Sequence, residues 1–543
     1  MTETPFARLA ELGEQLEATS KRGELAALLA GFLREVAPEE VPAAVRLTIG
    51  QVFPEWDARA LNVSWRTLTG IADRLVEASD EVREAAGAGA VDGGQYIQRL
   101  LEAARREPPA APALTIEEVL QTFEAIAATE GRGSRGRKEA LLENLFQRAT
   151  ALEAKVLAKI IYQDMRHGVN EGIMLDGIAQ AAAVPGHLVR RANQLWGDLG
   201  EVAAVALRDG QPGLEQARVQ LFRPMKPMLA QTAETLDEAF ERYRTGLALE
   251  YKLDGARVQI HRQGDQVRIY SRNLADVTGS LPDVADEVRS GLAAQGAILD
   301  GEAIAVDAAG RPLPFQHLMR RFRRKHALAD TLGSIPVRLH LFDALFIDGQ
   351  PLIDRPYRER WAALERAAGS LSLVPRLLPA TKADGRAFAE ASRLAGHEGL
   401  MAKELSSSYN PGVRGKAWLK LKHVLSLDLA IIAAEWGYGR RHGWLSNYHL
   451  AARDLSTGDY LVVGKTFKGL TDVQFQEMTD RLLALERLRR GNVVFVRPQL
   501  VVEVLFNEIQ ESNLYPSGLV LRFARILHLR EDKPVAEVDT IQT

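Results

Sequence analysis

The hydrophobic periodicity of this chain changes once, across FRPMKPMLA at 222–230, and that change limits the possible folds more than any other feature. Before it, apolar residues recur at helical spacing, as in RGELAALLAGFLREVA and KEALLENLFQRATALEAKVLAKIIYQDM. Breaks fall at the Gly-rich 86–95 and the Pro-rich 106–114. After it, short alternating runs such as ALEYK, ARVQIHR, QVRIYSR and AILDGEAIAV are separated by Asp-Gly or Gly-Asp turns. Helical segments at 283–294, 357–368 and 384–396 lie between some of them. The two prolines at 224 and 227 read as a linker. From about 426, five or so further strands and one helix (DVQFQEMTDRLLALERLRR) suit a small Greek-key barrel of the OB type. The expected fold is multidomain: an all-helical unit at 1–220, an antiparallel α+β unit at 221–425 and an OB-fold β-barrel at 426–543.

A length of 543 residues exceeds what one core supports, in line with several units. The absence of cysteine excludes disulfides, thiol catalysis and Cys-based zinc sites. The acidic N-terminus lacks the apolar run of a signal peptide, and no segment reaches membrane-spanning length, so the expected location is cytoplasmic. The Ala/Gly/Arg-rich, Lys-poor composition points to a GC-rich, bacterial genome. Net charge is −3 overall but uneven: 24 basic against 32 acidic residues over 1–220, 30 against 24 over 221–425, and 14 against 15 over 426–543. Local patches rather than totals set phosphate binding, so the basic middle unit is the place to look for it.

In LEYKLDGARVQIHR (249–262), Glu250 and Lys252 lie two apart on a strand and share a face. Asp254-Gly255 turns the chain and Arg257 begins the return strand, which brings a carboxylate, an amine and a guanidinium to one hairpin end. A solvated, ion-paired hairpin would look the same. In WLKLK (418–422), Trp418, Lys420 and Lys422 share one face and Leu419 and Leu421 the other. Two adjacent lysines form a phosphate ledge and would depress the pKa of a nearby nucleophilic lysine by like-charge repulsion. Glu302 in LDGEAIA and Glu398 in EGLMAKEL are single carboxylates beside basic residues, which suits Mg²⁺ held together with substrate phosphates. Phe342 in LFDALFIDG is either a core aromatic or a base-stacking ring.

KLDGAR resembles the nucleotidyl-lysine motif of covalent nucleotidyltransferases: ATP-dependent DNA ligases, RNA ligases and mRNA-capping guanylyltransferases. LDGEAIA, LFDALFIDG, EGLMAKELSSSYNPGVRG, WLKLK and GLVLRFARILHLREDK follow in the family's order over some 280 residues. The resemblance implies ATP and Mg²⁺ as cofactors and Lys252 as the nucleophile on the α-phosphate. It implies Glu250 and Phe342 at adenine, and Arg257 and Glu302 at the ribose and nearby phosphate. Arg272 would serve phosphate on nucleotide and nick, Glu302 and Glu398 the metal, and Arg414, Lys420 and Lys422 the phosphates. Arg522 and Arg525 would assist lysine adenylation, although Ala524 stands where proline is common. Asp254 is left without a role beyond shaping the turn.

The helical region narrows the family. GRGSRGRKEALLENLF resembles the GSxxxK element of the DNA-binding domain in archaeal and eukaryotic replicative-type DNA ligases. That implies a duplex-backbone site from Gly133, Ser134, Arg135 and Lys138, with Arg137 beside them. A basic loop in solvent is the plain alternative. The run MRRFRRKHA (319–327) reads equally as a DNA contact or a solvated helix face. The expected substrate is nicked double-stranded DNA, with no membrane partner, a monomeric enzyme, and any sliding clamp or repair partner unknown. An RNA ligase or capping guanylyltransferase, and a DNA-binding scaffold with a dead site, are the competing readings. The helical region argues against the first and the intact Lys252, Glu302, Glu398, Lys420 and Lys422 against the second.

Overall fold

The computed structural model describes residues 3–57, 59–103, 113–244, 246–323, 335–422 and 425–543. Up to residue 220 they are helical, from Phe6–Glu17 to Leu199–Glu215. Sequence signals set several helix starts: Thr115 and Thr150 each form a reciprocal capping box with the glutamate three residues on. Gly133 caps Ser134–Arg148 in the left-handed region, φ 75°.

The expected linker is instead a packed strap. Met225 and Met228 are fully buried, Phe222 N–H donates to His261 Nδ1 at 2.9 Å, and Lys226 Nζ meets Glu171 at 2.5 Å and Glu55 at 3.0 Å. Arg191 adds a 2.6 Å ion pair to Asp354. One apolar core therefore runs from the helices into the central unit.

Two five-stranded sheets form that central unit. The first is ordered β1 (Leu229–Thr232), β10 (Arg414–Lys422), β9 (Gly399–Glu404), β2 (Leu247–Lys252), β8 (Arg376–Leu377). The second is ordered β4 (Gln266–Ser271), β3 (Ala256–Gln263), β5 (Gly296–Ala305), β6 (Val337–Ile347), β7 (Gln350–Pro351). Alternation divides the first sheet cleanly. Leu247, Leu249, Leu400, Ala402 and Leu419 are buried beneath the helices Leu236–Arg242 and Lys382–Leu394. Fully burying a leucine contributes about 1.5–3 kcal/mol. The opposite face carries the functional candidates.

This topology corrects the hairpin expectation. β2 and β3 belong to different sheets, so Leu253–Asp254–Gly255 is a crossing between sheets and not a hairpin turn. The reason is steric: a Cβ on Gly255 would lie 2.3 Å from Ala303 O, so only glycine lets the crossing press onto β5. Arg321, in the basic run, is also not a surface contact. It is fully buried and its guanidinium holds Asp283, Ser280 O and Ile335 O. Residues 324–327 of that run lie outside the described residues.

The third unit is an antiparallel OB-type sheet domain. The long strand β11 (Leu425–Trp436) pairs β12 (Leu445–Arg453) on one side and β15 (Val493–Val496) and β16 (Val501–Phe506) on the other. The helix Asp472–Ala484 packs Phe475 against Tyr448 in a separate core. A hairpin of β17 (Glu508–Glu511) and β18 (Leu519–Arg522) returns toward the central unit.

Behind the second sheet, Arg360 and Asp343 form an ion pair in which neither side chain is exposed. Arg360→Ala should weaken the fold by about 3–5 kcal/mol, because it strands a buried carboxylate. Urea unfolding followed by tryptophan fluorescence measures this, and a change below about 1 kcal/mol would contradict the packing described.

Candidate active site

Strand register assembles the site. Lys252, Gly399 and Lys422 form one cross-strand row of the first sheet, and Glu250, Met401 and Lys420 the next, all on the face away from the buried leucines. Lys403 and Trp418 continue that face. Gly399 sits at φ 148°, and a Cβ there would lie 2.0 Å from Leu421 O; the glycine leaves the gap in which Lys252 and Lys422 approach each other. Between them lies Glu398, whose carboxylate is ion-paired to both lysines and whose N–H donates to Lys252 O at 2.9 Å. The second sheet faces this row with Arg257 opposite Glu302 on β3 and β5, and with Phe342 from β6.

Together these residues line a cavity of about 770 Å³, to which the C-terminal unit contributes Glu508, Gln510, Arg522 and Phe523. Arg272, Arg414, Lys420 and Lys422 all reach its wall. Arg525 does not: it lies exposed on β19 (Arg525–Leu529) and is absent from the lining. Lys422 Nζ stands 5.5 Å from the Phe523 ring, so the C-terminal unit is seated over the phosphate-side lysines. Arg272, Asn273 and Leu229 also line a second cavity of about 650 Å³ that continues between the central unit and helical-region residues Phe53, Asp57 and Arg59.

Electrostatics sort the charged groups. Burial pushes the Glu302 carboxyl up to about 7, although Lys252 and Arg257 pull it down. Burial also raises Glu398, but Lys252 and Lys422 outweigh it and hold that carboxyl below the usual range. Burial, then the like charges of Lys422, Arg414 and Lys252, bring Lys420 below the usual lysine range, so the repulsion expected of the ledge falls on the ledge itself. Lys252 meets the Glu398 carboxylate. Asp254 acquires a role: its Oδ2 accepts from Phe315 N–H at 3.3 Å, joining the crossing to the helix Phe315–Arg323.

The wall fits a nucleotide and a divalent cation. Arg257 Nε and Trp418 Nε1 are buried without a hydrogen-bond partner, which leaves polar demand in the cavity wall. Phe342, Met401 and Trp418 offer an apolar, aromatic slot for a base. No group of three or more acidic or histidine ligands occurs among the described residues, so a hard cation here would rest on Glu302 and Glu398 plus substrate phosphates.

Glu250 is buried, with Lys403 Nζ at 2.7 Å from one oxygen and the Tyr357 hydroxyl donating to the other. Arg257 donates to Met228 O at 2.6 Å and Asp300 Oδ2 at 2.8 Å, and Tyr409 O–H shares that aspartate. Sequence reasoning missed Met401, Tyr357, Tyr409, Asp300, Glu508 and Gln510. Met401 could have been found from the β2–β9 pairing; the others depend on contacts between distant segments. In the helical region, Lys138 Nζ donates to Leu61 O at 2.9 Å, Arg135 pairs with Glu139 and Ser134 N–H donates to Gly131 O at 3.1 Å, so the expected DNA contacts already have protein partners. No helix among the described residues is long and apolar enough to cross a membrane.

Comparison with known proteins covers all three units. The ATP dependent DNA ligase domain matches residues 227–422, the DNA ligase N terminus 5–179, and the ATP dependent DNA ligase C terminal region 441–533. DNA ligase 1 of Korarchaeum cryptofilum is 46% identical over 98% of this chain and 96% of its own length. The DNA ligase of Thermococcus onnurineus is 41% identical over 100% and 97%. A probable DNA ligase of Anaeromyxobacter sp. strain K is 44% identical over 99% and 98%. The solved structure Pmar-Lig_PreS3 matches with TM-score 0.52 and 18% identity over 96% of this chain and 99% of that one, a likeness of fold alone.

Glu302 gives a pH prediction. Its folded pKa, about 7, lies above the unfolded value near 4.5, so the folded state keeps a proton that the unfolded state releases between those limits. The carboxyl therefore lowers stability as pH rises from about 4.5 to 7, with no further loss above. Without nucleotide or metal, the stability of Glu302→Gln relative to wild type should rise across that window and then level off. Urea midpoints at successive pH values measure it; a constant difference would contradict the burial argument.

Proposed function

Since the chain belongs to the ATP-dependent DNA ligase family, we propose that Lys252 carries the AMP through which it seals 5′-phosphate/3′-hydroxyl nicks in duplex DNA. The supporting observation is the placement of Lys252 at the cavity wall, with Glu398 between it and Lys422 and with Arg414 and Lys420 beside them.

Lys252 releases Glu398, gives its proton to solvent water, and its Nζ forms a bond to the ATP α-phosphorus as the bond to pyrophosphate breaks. Arg414, Lys420 and Lys422 hold the triphosphate and offset the charge that builds on it. Glu302 and Glu398 would hold Mg²⁺, which would supply positive charge to offset that of the phosphates. Phe342 and Met401 enclose the base. Arg522, on the C-terminal hairpin, orients the leaving pyrophosphate; Arg525 would need that unit to shift in order to assist. A DNA 5′-phosphate oxygen then takes AMP from Lys252, which leaves as the amine. The 3′-hydroxyl attacks the activated phosphate and AMP departs. Splitting one hard joining reaction into three displacements is what covalent catalysis supplies.

Arg272, which lines both cavities, serves nucleotide and nick alike. Gly133, Ser134 and Arg135 meet the duplex backbone, and Lys138 joins them if it exchanges Leu61 O for phosphate. The units 1–220, 221–425 and 426–543 act as a monomeric clamp whose C-terminal unit leaves the ATP site so that DNA can enter. The protein is bacterial by its composition and cytoplasmic by its N-terminus, which lacks a long apolar run; its relatives come from archaea and bacteria alike.

Incubation with α-labelled ATP and Mg²⁺ should label the protein, whereas GTP and NAD should not. Lys252→Ala should reduce the label to background, chelation of the metal should do the same, and adding nicked DNA should discharge the label and yield sealed product. Absence of label on wild type would overturn the assignment, and sealing of nicked RNA in preference to DNA would overturn the substrate.

A further inference from the structure

The buried carboxylate beneath the base slot has two protein donors, and one of them comes from outside the two strands that frame it. Tyr357 opens the helix Tyr357–Ala367, and this end is fixed: Tyr357 N–H donates to Ser407 O at 2.8 Å and Arg358 N–H to Leu405 O at 3.0 Å. The ring is fully buried, edge-on to Trp361 at 6.2 Å and with the Arg376 guanidinium 5.3 Å away. Its hydroxyl donates to Glu250 Oε1. Lys403 Nζ, 2.7 Å from Glu250 Oε2, is surrounded by the rings of Phe342, Tyr357 and Trp418 at 4.7, 4.7 and 4.3 Å. The stacking candidate Phe342 is tied to the same group, because Lys403 also donates to Phe342 O at 3.2 Å.

We propose that Tyr357 is a positioning residue for base selection: with Lys403 it holds the Glu250 carboxyl in place as an acceptor for the exocyclic amine of adenine. This rests on the reading that Glu250 contacts the base. A carboxylate offers about four acceptor sites, and the two protein donors leave capacity for another. Adenine presents an amine at position 6, which a carboxylate accepts; guanine presents an oxygen there, which a carboxylate repels. An acceptor this deeply buried needs fixed donors. Burial pushes the Glu250 carboxyl up against the pull of Lys403 and Tyr357, and burial keeps the Tyr357 phenol well above its usual range, so the hydroxyl remains a donor. Losing that donor weakens the acceptor without touching the lysine, the phosphates or the metal carboxylates.

The test compares ATP with purine riboside 5′-triphosphate, which lacks the 6-amino group, in single-turnover adenylation of Lys252 by the full chain. Wild type should prefer ATP by about tenfold or more in kcat/KM, the scale of a hydrogen bond to a charged group. Tyr357→Phe should reduce that preference by about tenfold, through KM for ATP, with kcat nearly unchanged. Tyr357→Leu, which also lacks the hydroxyl, serves if the phenylalanine variant does not fold; a thermal melt reports this. If wild type prefers ATP and the folded variant keeps the whole preference, Tyr357 is merely structural and the proposal is overturned alone. If wild type does not distinguish the two nucleotides, the base-contact reading of Glu250 fails, and the proposal with it.

Discussion

One carboxylate, Glu398, holds the candidate site together. Lys252 and Lys422 come from strands on either side of β9, and two ammonium groups that share one carboxylate repel each other. A charge pair 4 Å apart near a protein surface interacts by about 4 kcal/mol, so the shared carboxylate outweighs the repulsion between the lysines. Burial alone would raise the Glu398 carboxyl, but the two lysines outweigh it and hold it below its usual range, so the three groups keep one another in place.

The fold supports this arrangement through close backbone approaches that only glycine permits. Gly255 lets the chain cross from the lysine strand to the Arg257 strand against Ala303 O, and Gly399 lets β9 press on β10. Two sheets thus face each other across one cavity: the first supplies Lys252, Lys420 and Lys422, the second Arg257, Glu302 and Phe342. The strap at 222–230 fixes a third direction, because Met228 O accepts from Arg257 while Lys226 pairs with Glu171 in the helical region. The nucleotide pocket and the helical region are joined by three residues of chain.

Much of this was legible in the sequence. Strand alternation placed Glu250, Lys252, Lys420 and Lys422 on one face of the first sheet. What escaped was tertiary. Asp254-Gly255 carries the local signature of a hairpin turn, and only the pairing partners show that it joins two sheets. Arg321 looked like one cation in a basic run but is consumed by Asp283 and two backbone carbonyls. Tyr357 sits a hundred residues from Glu250, and no local pattern marks the hydroxyl that meets it. Glu508 and Gln510 reach the cavity only because the C-terminal unit is seated on it.

In the proposed reaction it is Lys252 Nζ that bonds to AMP. Digestion with trypsin after incubation with ATP and Mg²⁺, at neutral pH to preserve the phosphoramidate, followed by mass spectrometry, locates the adduct. The expected product is a peptide ending at Arg257 in which Lys252 carries AMP and has resisted cleavage. An adduct on Lys420 or Lys422, with Lys252 unmodified and cleaved, would contradict it.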